Sequence, residues 1–480
     1  MSFTSAIKAI QDIMRKDTGV DGDAQRIAQL VWMLFLKIFE DSESARELIE
    51  DNYQSPIPAE FRWSAWAGDT EGITGDKLSD FINNELFPAL KELGGSAQEP
   101  RRFLVSEVFK DAYNYMKNGT LIRQVINQIN DNLNFNKTTD RHALGDFYEK
   151  FLKDLQSAGN AGEYYTPRAV TEFMVDRAAP ELGDKVLDPA CGTGGFLASV
   201  VEFMKTSEGE KPEFWETLGR TIKGVEKKPL PHLLCVTNML LHGLDTPTNV
   251  IHGNWLQKPL TDWSAEDKVD VIVTNPPFGG IEEDGTENNF PASVRTKETA
   301  DLFLVLIMRL LKNGGRAAVV LPDGTLFGEG TKTRIKEMLL QDCNLHTVVR
   351  LPNSVFAPYT SIKTNLLFFD KGEPTKEVWF YEHPMPKGYK AYSKTRPMKF
   401  EEFAPEQAWW DNRQESEQAW KVEIKDIIER GYNLDIKNPN TVEDILKHPD
   451  KLLEDYQTQE ATFQGLLSQL KDELTQALER

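Results

Sequence analysis

The chain has 480 residues, 40% hydrophobic and 27% charged, with a formal net charge of -20. That is enough material for a large core and two or three globular domains, while the acidic excess argues against the isolated chain gripping DNA phosphates, which takes clustered Lys and Arg. Its three cysteines, Cys191, Cys235 and Cys343, lie far apart without metal-ligand spacing, which excludes a disulfide framework and a zinc site and fits a reducing, cytoplasmic setting.

The amino terminus has no charged region followed by an apolar one, so it does not read as a signal peptide. The most apolar run, Leu30 to Phe39, contains Lys37 and is too short to span a bilayer. From Ser5 to about Asn134 the apolar spacing is helical, as in Ile7, Ile10, Ile13 and Met14, then Ile27, Leu30, Val31, Leu34, Phe35 and Ile38. Breakers at Gly68 to Gly75 and at Gly94-Gly95-Ser96 divide this region. A further helix is expected over Asp140 to Leu155, ahead of the glycine-containing stretch Ser157 to Gly162.

From Glu163 to Lys371 the texture becomes α/β. Helices alternate with short strands expected at Lys185–Asp188, Ile222–Val225, Thr248–His252, Val269–Thr274, Ala317–Leu321, Thr347–Leu351 and Thr364–Phe369. The alternation predicts a mostly parallel sheet with helices on both faces. One more strand follows at Glu377–Tyr381, then a Pro/Lys/Tyr segment from Pro384 to Lys399, with amphipathic helices expected to the end. The resulting domains are 1–140 (all-helical), 141–400 (catalytic) and 401–480 (helical, suited to docking a partner).

Two short strings sit at carboxyl ends of strands, where ligands bind in open α/β sheets. The first is Asp188-Pro-Ala-Cys-Gly192-Thr193-Gly194-Gly195-Phe196. Its glycines let a ligand approach the backbone and meet helix N-terminal NH groups, although a tight strand-to-helix turn would use them too. A dinucleotide fingerprint does not fit, because Leu197 stands where the third small residue belongs. Glu226, directly after the next strand, is suited to accepting two hydrogen bonds from ribose hydroxyls. At the third strand end, Asn254 offers a polar group for an adenine amine beside an apolar neighbour, or simply a structural turn. Upstream, Glu163-Tyr164-Tyr165-Thr166-Pro167-Arg168 precedes a helix expected over Ala169–Ala179, with Thr166 placed to cap it and Pro167 in its first turn. The same residues are a candidate clamp on a carboxylate, with Arg168 as counter-charge.

The second string is Asn275-Pro276-Pro277-Phe278. An exocyclic amine on a heteroaromatic ring is a poor nucleophile because its lone pair is delocalised. Two fixed acceptors, the Asn275 side-chain oxygen and the Pro276 carbonyl, would bias that nitrogen toward tetrahedral geometry. The two prolines hold the backbone, and Phe278 offers a face on which an extruded base can stack. A rigid turn is the bland alternative for the tripeptide alone. Paired with the glycine turn in this order, the string points to methyl transfer onto a flat amine.

These two strings resemble motifs I and IV of amino-methyltransferases that use S-adenosylmethionine. The resemblance extends to Ile10–Asp17, Tyr165–Arg168, Leu321–Phe327, Ala419–Val422 and Tyr432–Asp435, which look like the modification (M) subunit of type I restriction-modification systems. It implies an S-adenosylmethionine-dependent methyltransferase fold, preceded by a helical domain and followed by C-terminal helices. It implies site-specific, adenine-specific DNA methylation at N6, with Glu163 to Arg168, Asp188, Gly192, Thr193 to Gly195, Glu226 and Asn254 on the cofactor side. Asn275, Pro276, Pro277 and Phe278 would take the base. Many relatives carry Asp where Asn254 stands. No metal is implied.

The resemblance also implies that sequence reading comes from a separate specificity (S) subunit, in an assembly of two M chains with one S chain that a restriction (R) subunit can join. The substrate would be double-stranded DNA with the adenine extruded; no membrane is involved. Lys387, Lys390, Lys394, Arg396 and Lys399, interleaved with Tyr389 and Tyr392, form a candidate DNA-backbone contact or a solvated loop. Tyr456, Phe463, Leu467, Leu470, Leu474 and Ala477 fall near heptad spacing, for partner helices or for the chain's own core. Cytosine N4, guanine N2 in RNA, a protein glutamine and a noncatalytic scaffold are competing readings. The segment Gly279 to Lys297 is expected to be a long acidic loop able to order over an extruded base.

Overall fold

The computed structural model describes residues 3–96, 98–133, 148, 165–209, 212–244, 246–357, 360, 362–393, 395–440 and 449–478. The expected helix over Asp140–Leu155, Glu163, Tyr164 and Lys394 lie wholly or mostly outside them. The chain falls into two compact units, 1–436 and 437–480.

The first unit begins with helices, among them Phe3–Met14, Asp23–Ile49, Pro100–Lys110 and Gly119–Asn132. Asp23–Ile49 turns one continuous apolar stretch inward, with Leu30, Val31, Trp32, Met33, Phe35 and Phe39 buried. It packs on the helix Pro229–Leu241, which joins the helical region to the sheet without a gap in the core. The breaks expected at Gly68–Gly75 and Gly94–Gly95 coincide with gaps between helices.

The sheet has nine strands among the described residues: β1 Val186–Asp188, β2 Ile222–Glu226, β3 Val250–His252, β4 Val269–Thr274, β5 Leu311–Pro322, β6 Cys343–Arg350, β7 Thr364–Lys371, β8 Glu377–Glu382 and β9 Ala419–Glu423. Their order is β3-β2-β1-β4-β5-β7-β6-β8-β9. Strands β3 to β5 run parallel, as do β6 and β8, whereas β7 is antiparallel to both its neighbours and β9 is antiparallel to β8. The sheet is therefore mixed, and parallel in the half that carries the two strings.

Alternation along the central strands sends side chains into two cores. Val271, Val273, Ala318, Val320, Leu366 and Phe368 belong to one, and Ile272, Ala317, Val319, Leu321, Leu367 and Phe369 to the other. Strands buried on both faces read as continuous apolar runs, which is why they were visible in the sequence.

Strand β9 corrects the expectation of helices throughout the tail. Its Trp420 stacks on Phe380 with centroids 5.5 Å apart, while Lys421 reaches Glu377 and Glu423 from the edge. Charge on an edge strand blunts pairing with other chains and also disguises the strand as polar helix. The helix Pro449–Leu478 forms the bulk of the second unit. Among the described residues, no helix is long and apolar enough to cross a membrane.

Candidate active site

The strand order reverses between β1 and β4, so their carboxyl ends flank the crevice where open α/β sheets bind ligands. The two strings occupy those two ends. Thr274, last in β4, donates from Oγ1 to Asp188 Oδ1 at 2.6 Å, tying one end to the other. Asp188 Oδ1 also accepts from the Ala190 N–H at 3.1 Å.

From Asp188 the chain crosses toward β2, where the Cys191 N–H donates to the Val225 carbonyl at 2.9 Å. Gly192 and Gly194 take φ of 53° and 83°, the left-handed region in which only glycine is unstrained. A Cβ on Gly194 would stand 2.8 Å from Cys235 Sγ, so that residue must be glycine on two counts. Asn238 donates from Nδ2 to the buried Thr193 carbonyl at 3.1 Å, and the helix Gly195–Glu208 starts directly afterwards.

Glu226 closes the turn. Its Oε2 accepts from the Gly192 N–H at 3.0 Å and its Oε1 from the Lys228 N–H at 2.6 Å, which leaves lone pairs on both oxygens for hydroxyl donors. Burial pushes the Glu226 carboxyl up to about 6, against the pull of its backbone donors. Burial likewise pushes Asp188 up to about 7, opposed by its bonds from Thr274 and Ala190. Two buried carboxyls raised in this way favour a cationic ligand, whose charge would offset the cost of ionising them.

A cavity of about 250 Å³ opens over these residues. Of the residues singled out from the sequence, Thr166, Asp188, Gly192, Gly195, Glu226, Asn254, Asn275 and Pro277 line it. Tyr165, Pro167, Arg168, Thr193, Gly194, Pro276 and Phe278 are not among its lining residues. Val225, Trp255 and Phe303 add apolar wall, and Glu282 and Thr299 add polar groups that were not anticipated.

Asn275 donates from Nδ2 to Thr166 Oγ1 at 2.9 Å, while its Oδ1 is buried with no partner. Buried acceptors are nearly always satisfied, so an orphaned one lining a cavity marks a ligand contact. Pro276 is buried, and the half-buried Phe278 meets Phe356 edge-on at 6.1 Å.

The role expected of Thr166 as helix cap is corrected. The helix runs Arg168–Ala178, its N-cap is Pro167 with no side-chain cap, and the Thr166 hydroxyl serves Asn275 instead. Arg168 pairs with Glu172 on its own helix at 3.0 Å. Asn254 caps the short turn Trp255–Gln257, its Oδ1 accepting from the Leu256 N–H at 3.0 Å, and its Nδ2 donates to Glu282 at 2.9 Å.

Two further expectations change. Tyr392 is buried and donates to Glu402 at 2.7 Å, and Arg396 lies over Tyr389, so the Pro384–Lys399 segment folds its aromatic rings onto the domain rather than presenting an alternating ladder. Lys387, Lys390 and Lys399 remain exposed. The Gly279–Lys297 segment is no plain loop, because it holds the turns Thr286–Asn289 and Ala292–Val294 and buries Phe290 and Val294. Within the acidic run Glu282 is only 8% exposed and lines the cavity.

Comparison with known proteins agrees with this geometry. A family model described as N-6 DNA Methylase matches residues 139–448, and one described as HsdM N-terminal domain matches residues 3–129. The Type I restriction enzyme EcoEI methylase subunit of Escherichia coli is 61% identical over 100% of this chain and 99% of its own length. A crystal structure of a modification subunit assigned to a type I restriction enzyme of Vibrio vulnificus YJ016 is 46% identical, with a TM-score of 0.83 over 93% of this chain and 98% of that one. A chain from a structural study of complex assembly and conformational transition of the type I R-M system gives 35% identity and a TM-score of 0.81, covering 98% of each. With a parallel half-sheet, a glycine turn and an Asn-Pro-Pro-Phe strand end placed together, and with these relatives matching end to end, the chain belongs to the N-6 DNA methylases as a type I methylase subunit, an adenine-specific DNA methyltransferase.

Proposed function

We propose that this chain moves the methyl group of S-adenosylmethionine onto N6 of an adenine extruded from double-stranded DNA, with the target sequence read by a separate specificity subunit. The observation that carries this reading is Asn275, a residue on the wall of a cavity that also holds the glycine turn and Glu226, whose Oδ1 is buried without a partner. A flat amine supplies the missing N–H.

The residues present fit the cofactor. Gly192 and Gly195 line a cradle that side chains would fill, Glu226 keeps acceptor capacity for two ribose hydroxyls, and the raised carboxyls of Glu226 and Asp188 suit a positive ligand. Tyr165, Thr166, Pro167 and Arg168 mark the side on which the amino-acid end would lie, with Glu163 and Tyr164 preceding them in the sequence outside the described residues, and Asn254 the adenine end. S-adenosylmethionine, when bound there, supplies an electrophilic methyl group for in-line displacement by the amine nitrogen. The chain's own contribution is positional. Thr166 engages Nδ2 of the Asn275 amide and so keeps Oδ1 as the acceptor, and the Pro276 carbonyl would provide the second. Together they bias the amine lone pair out of the ring plane, and Phe278 carries the base face. Attack comes before loss of the amine proton in this scheme, so acceptors suffice and no strong base is required.

Partner docking falls to the tail. Leu453, Tyr456, Phe463 and Leu470 lie on one stripe of the helix Pro449–Leu478 and are exposed, which suits helices of a specificity subunit in an assembly of two M chains and one S chain, open to a restriction subunit and working in the cytoplasm. A chain of net charge -20 depends on such partners for its grip on DNA.

Transfer of labelled methyl from S-adenosylmethionine to DNA, with the modified base identified by mass, tests the reading. N6-methyladenine that requires both the specificity partner and Asn275 supports it. N4-methylcytosine overturns the base assignment, and donor binding with no transfer to any DNA overturns the enzymatic reading.

A further inference from the structure

A purine with an exocyclic amine offers an N–H donor at its six-position. To tell it from the 6-oxo form, which offers an acceptor there, a site needs a fixed group that accepts and cannot donate. Asn254 does not meet that requirement. Its amide carries donors as well as an acceptor, its Oδ1 already caps the Trp255–Gln257 turn at 3.0 Å, and its Nδ2 is directed to Glu282 at 2.9 Å.

Glu282 does meet it. Its Oε2 accepts from Lys227 Nζ at 3.1 Å and from Asn254 Nδ2 at 2.9 Å, and its Oε1 accepts from Thr299 Oγ1 at 3.3 Å. A carboxylate has about four acceptor positions, so one on Oε1 is left for a ligand. The residue is 8% exposed and lines the cavity, as do Asn254, Trp255 and Phe303.

Nor is it a surface acid that has wandered inward. The Glu282 N–H donates to the Lys297 carbonyl at 3.0 Å, the Thr299 N–H donates to the Gly280 carbonyl at 3.0 Å, and Ile281 bridges to Glu298 between them. This stem fixes Glu282 against the start of the helix Thr299–Leu310, and buried Phe290 and Val294 hold the rest of the segment down.

We propose that Glu282 is the residue that recognises the six-amino group of the donor's purine, with Asn254, Lys227 and Thr299 holding its carboxylate in place. The proposal rests on the reading of this cavity as an S-adenosylmethionine site. It moves adenine recognition from the end of β3 to the segment that begins directly after the catalytic tetrapeptide.

Titration calorimetry on the full-length chain separates the two ideas, using S-adenosylhomocysteine and its 6-oxo counterpart, S-inosylhomocysteine. The unaltered chain is expected to prefer the amino form by at least about tenfold. In Glu282→Gln the preference shrinks to within about threefold, because the new amide can turn its NH2 toward the oxo group. Glu282→Asp withdraws the charge by one methylene without removing it, and is expected to lose most of the preference with an unchanged melting curve. Should Glu282→Gln fail to fold, the Asp variant alone decides. A ratio that stays at its original value in the folded variants overturns the role of Glu282 while leaving the cavity as a donor site. Equal binding of both ligands by the unaltered chain does the same, and failure to bind S-adenosylhomocysteine at all overturns both.

Discussion

At the end of β1 and β2, carboxylates are held by the chain's own backbone; at the end of β4, one strand away, an amide oxygen is buried with nothing to bond. Glu226 and Asp188 take N–H and O–H donors from Gly192, Lys228, Ala190 and Thr274, yet burial outweighs these donors and the nearby Lys228 charge, so both carboxyls stay raised. Asn275 faces no charge problem and lacks one N–H donor. The two halves are therefore preorganised for different deficits. On the proposed reading, the donor half discriminates by charge and hydroxyl count, and the base half by the presence of an amine.

The sharpest way to break this contrast is Asn275→Ala. Methyl transfer is expected to fall at least about a hundredfold, while affinity for S-adenosylhomocysteine changes by less than about threefold; tandem transfer assays and calorimetry check both. Equal loss in the two measurements would show that the halves are not separable. Next in size is Gly194→Ala, where positive φ and contact with Cys235 act together. Denaturant unfolding should show a loss of about 1–3 kcal/mol, of which a second change, Cys235→Ala, restores only the part due to contact.

Glu226→Gln probes the charge deficit and should weaken donor binding about tenfold; because its NH2 must face the N–H of either Gly192 or Lys228, it should also cost the ligand-free protein about 1–3 kcal/mol, by an amount that depends on pH. The sign follows from burial, which holds Glu226 at about 6 and Asp188 at about 7, above their ordinary values, so that the folded state binds more protons than the unfolded one. The contribution of Glu226 and Asp188 to the stability of the ligand-free chain is therefore fullest below the unfolded values and declines as pH rises through the folded ones, whereas His232 and His346, which burial holds down at about 4 and about 3, contribute the opposite slope over the same window. The melting-temperature difference between the unaltered chain and Glu226→Gln isolates the carboxyl, and the advantage of the unaltered chain should shrink between about pH 4 and pH 7. An advantage that grows over this window would contradict the assignment. The smallest effect is expected from Thr166→Val, which removes the acceptor for Asn275 Nδ2 and leaves the amide free to turn; transfer falls several-fold and donor affinity is kept, as single-turnover rates would show.

Much of the parallel half-sheet was legible because strands buried on both faces must be continuous apolar runs, as Val269–Thr274 is. The glycine turn and Asn275 were legible because their chemistry depends on residue type at fixed spacing. Glu282 was not, since an acid in an acidic run looks like solvent-facing charge until Lys227, 55 residues earlier in the chain, is brought beside it. Thr166 was read as a cap because local hydrogen bonding is all that a sequence window contains, and its partner lies 109 residues away. Strand β9 was hidden by its edge position, and Tyr392 by lysines that alternate with it regardless of which way its ring points.

The distance over which the methyl group travels is set by the pairing of β1 with β4, in which Val186 lies opposite Val271 and Leu187 opposite Ile272. A slip of one residue would displace donor end from acceptor end by about 3.3 Å and turn every side chain of the strand to the wrong face. The separation of Asp188 and Asn275 along the chain has no such constraint, since the intervening strands β2 and β3 attach on the far side of β1. Insertions in the connection after the helix Gly195–Glu208 should leave the reach of the reaction untouched, so that connection can lengthen during evolution, or accept an engineered tag, without retuning the chemistry.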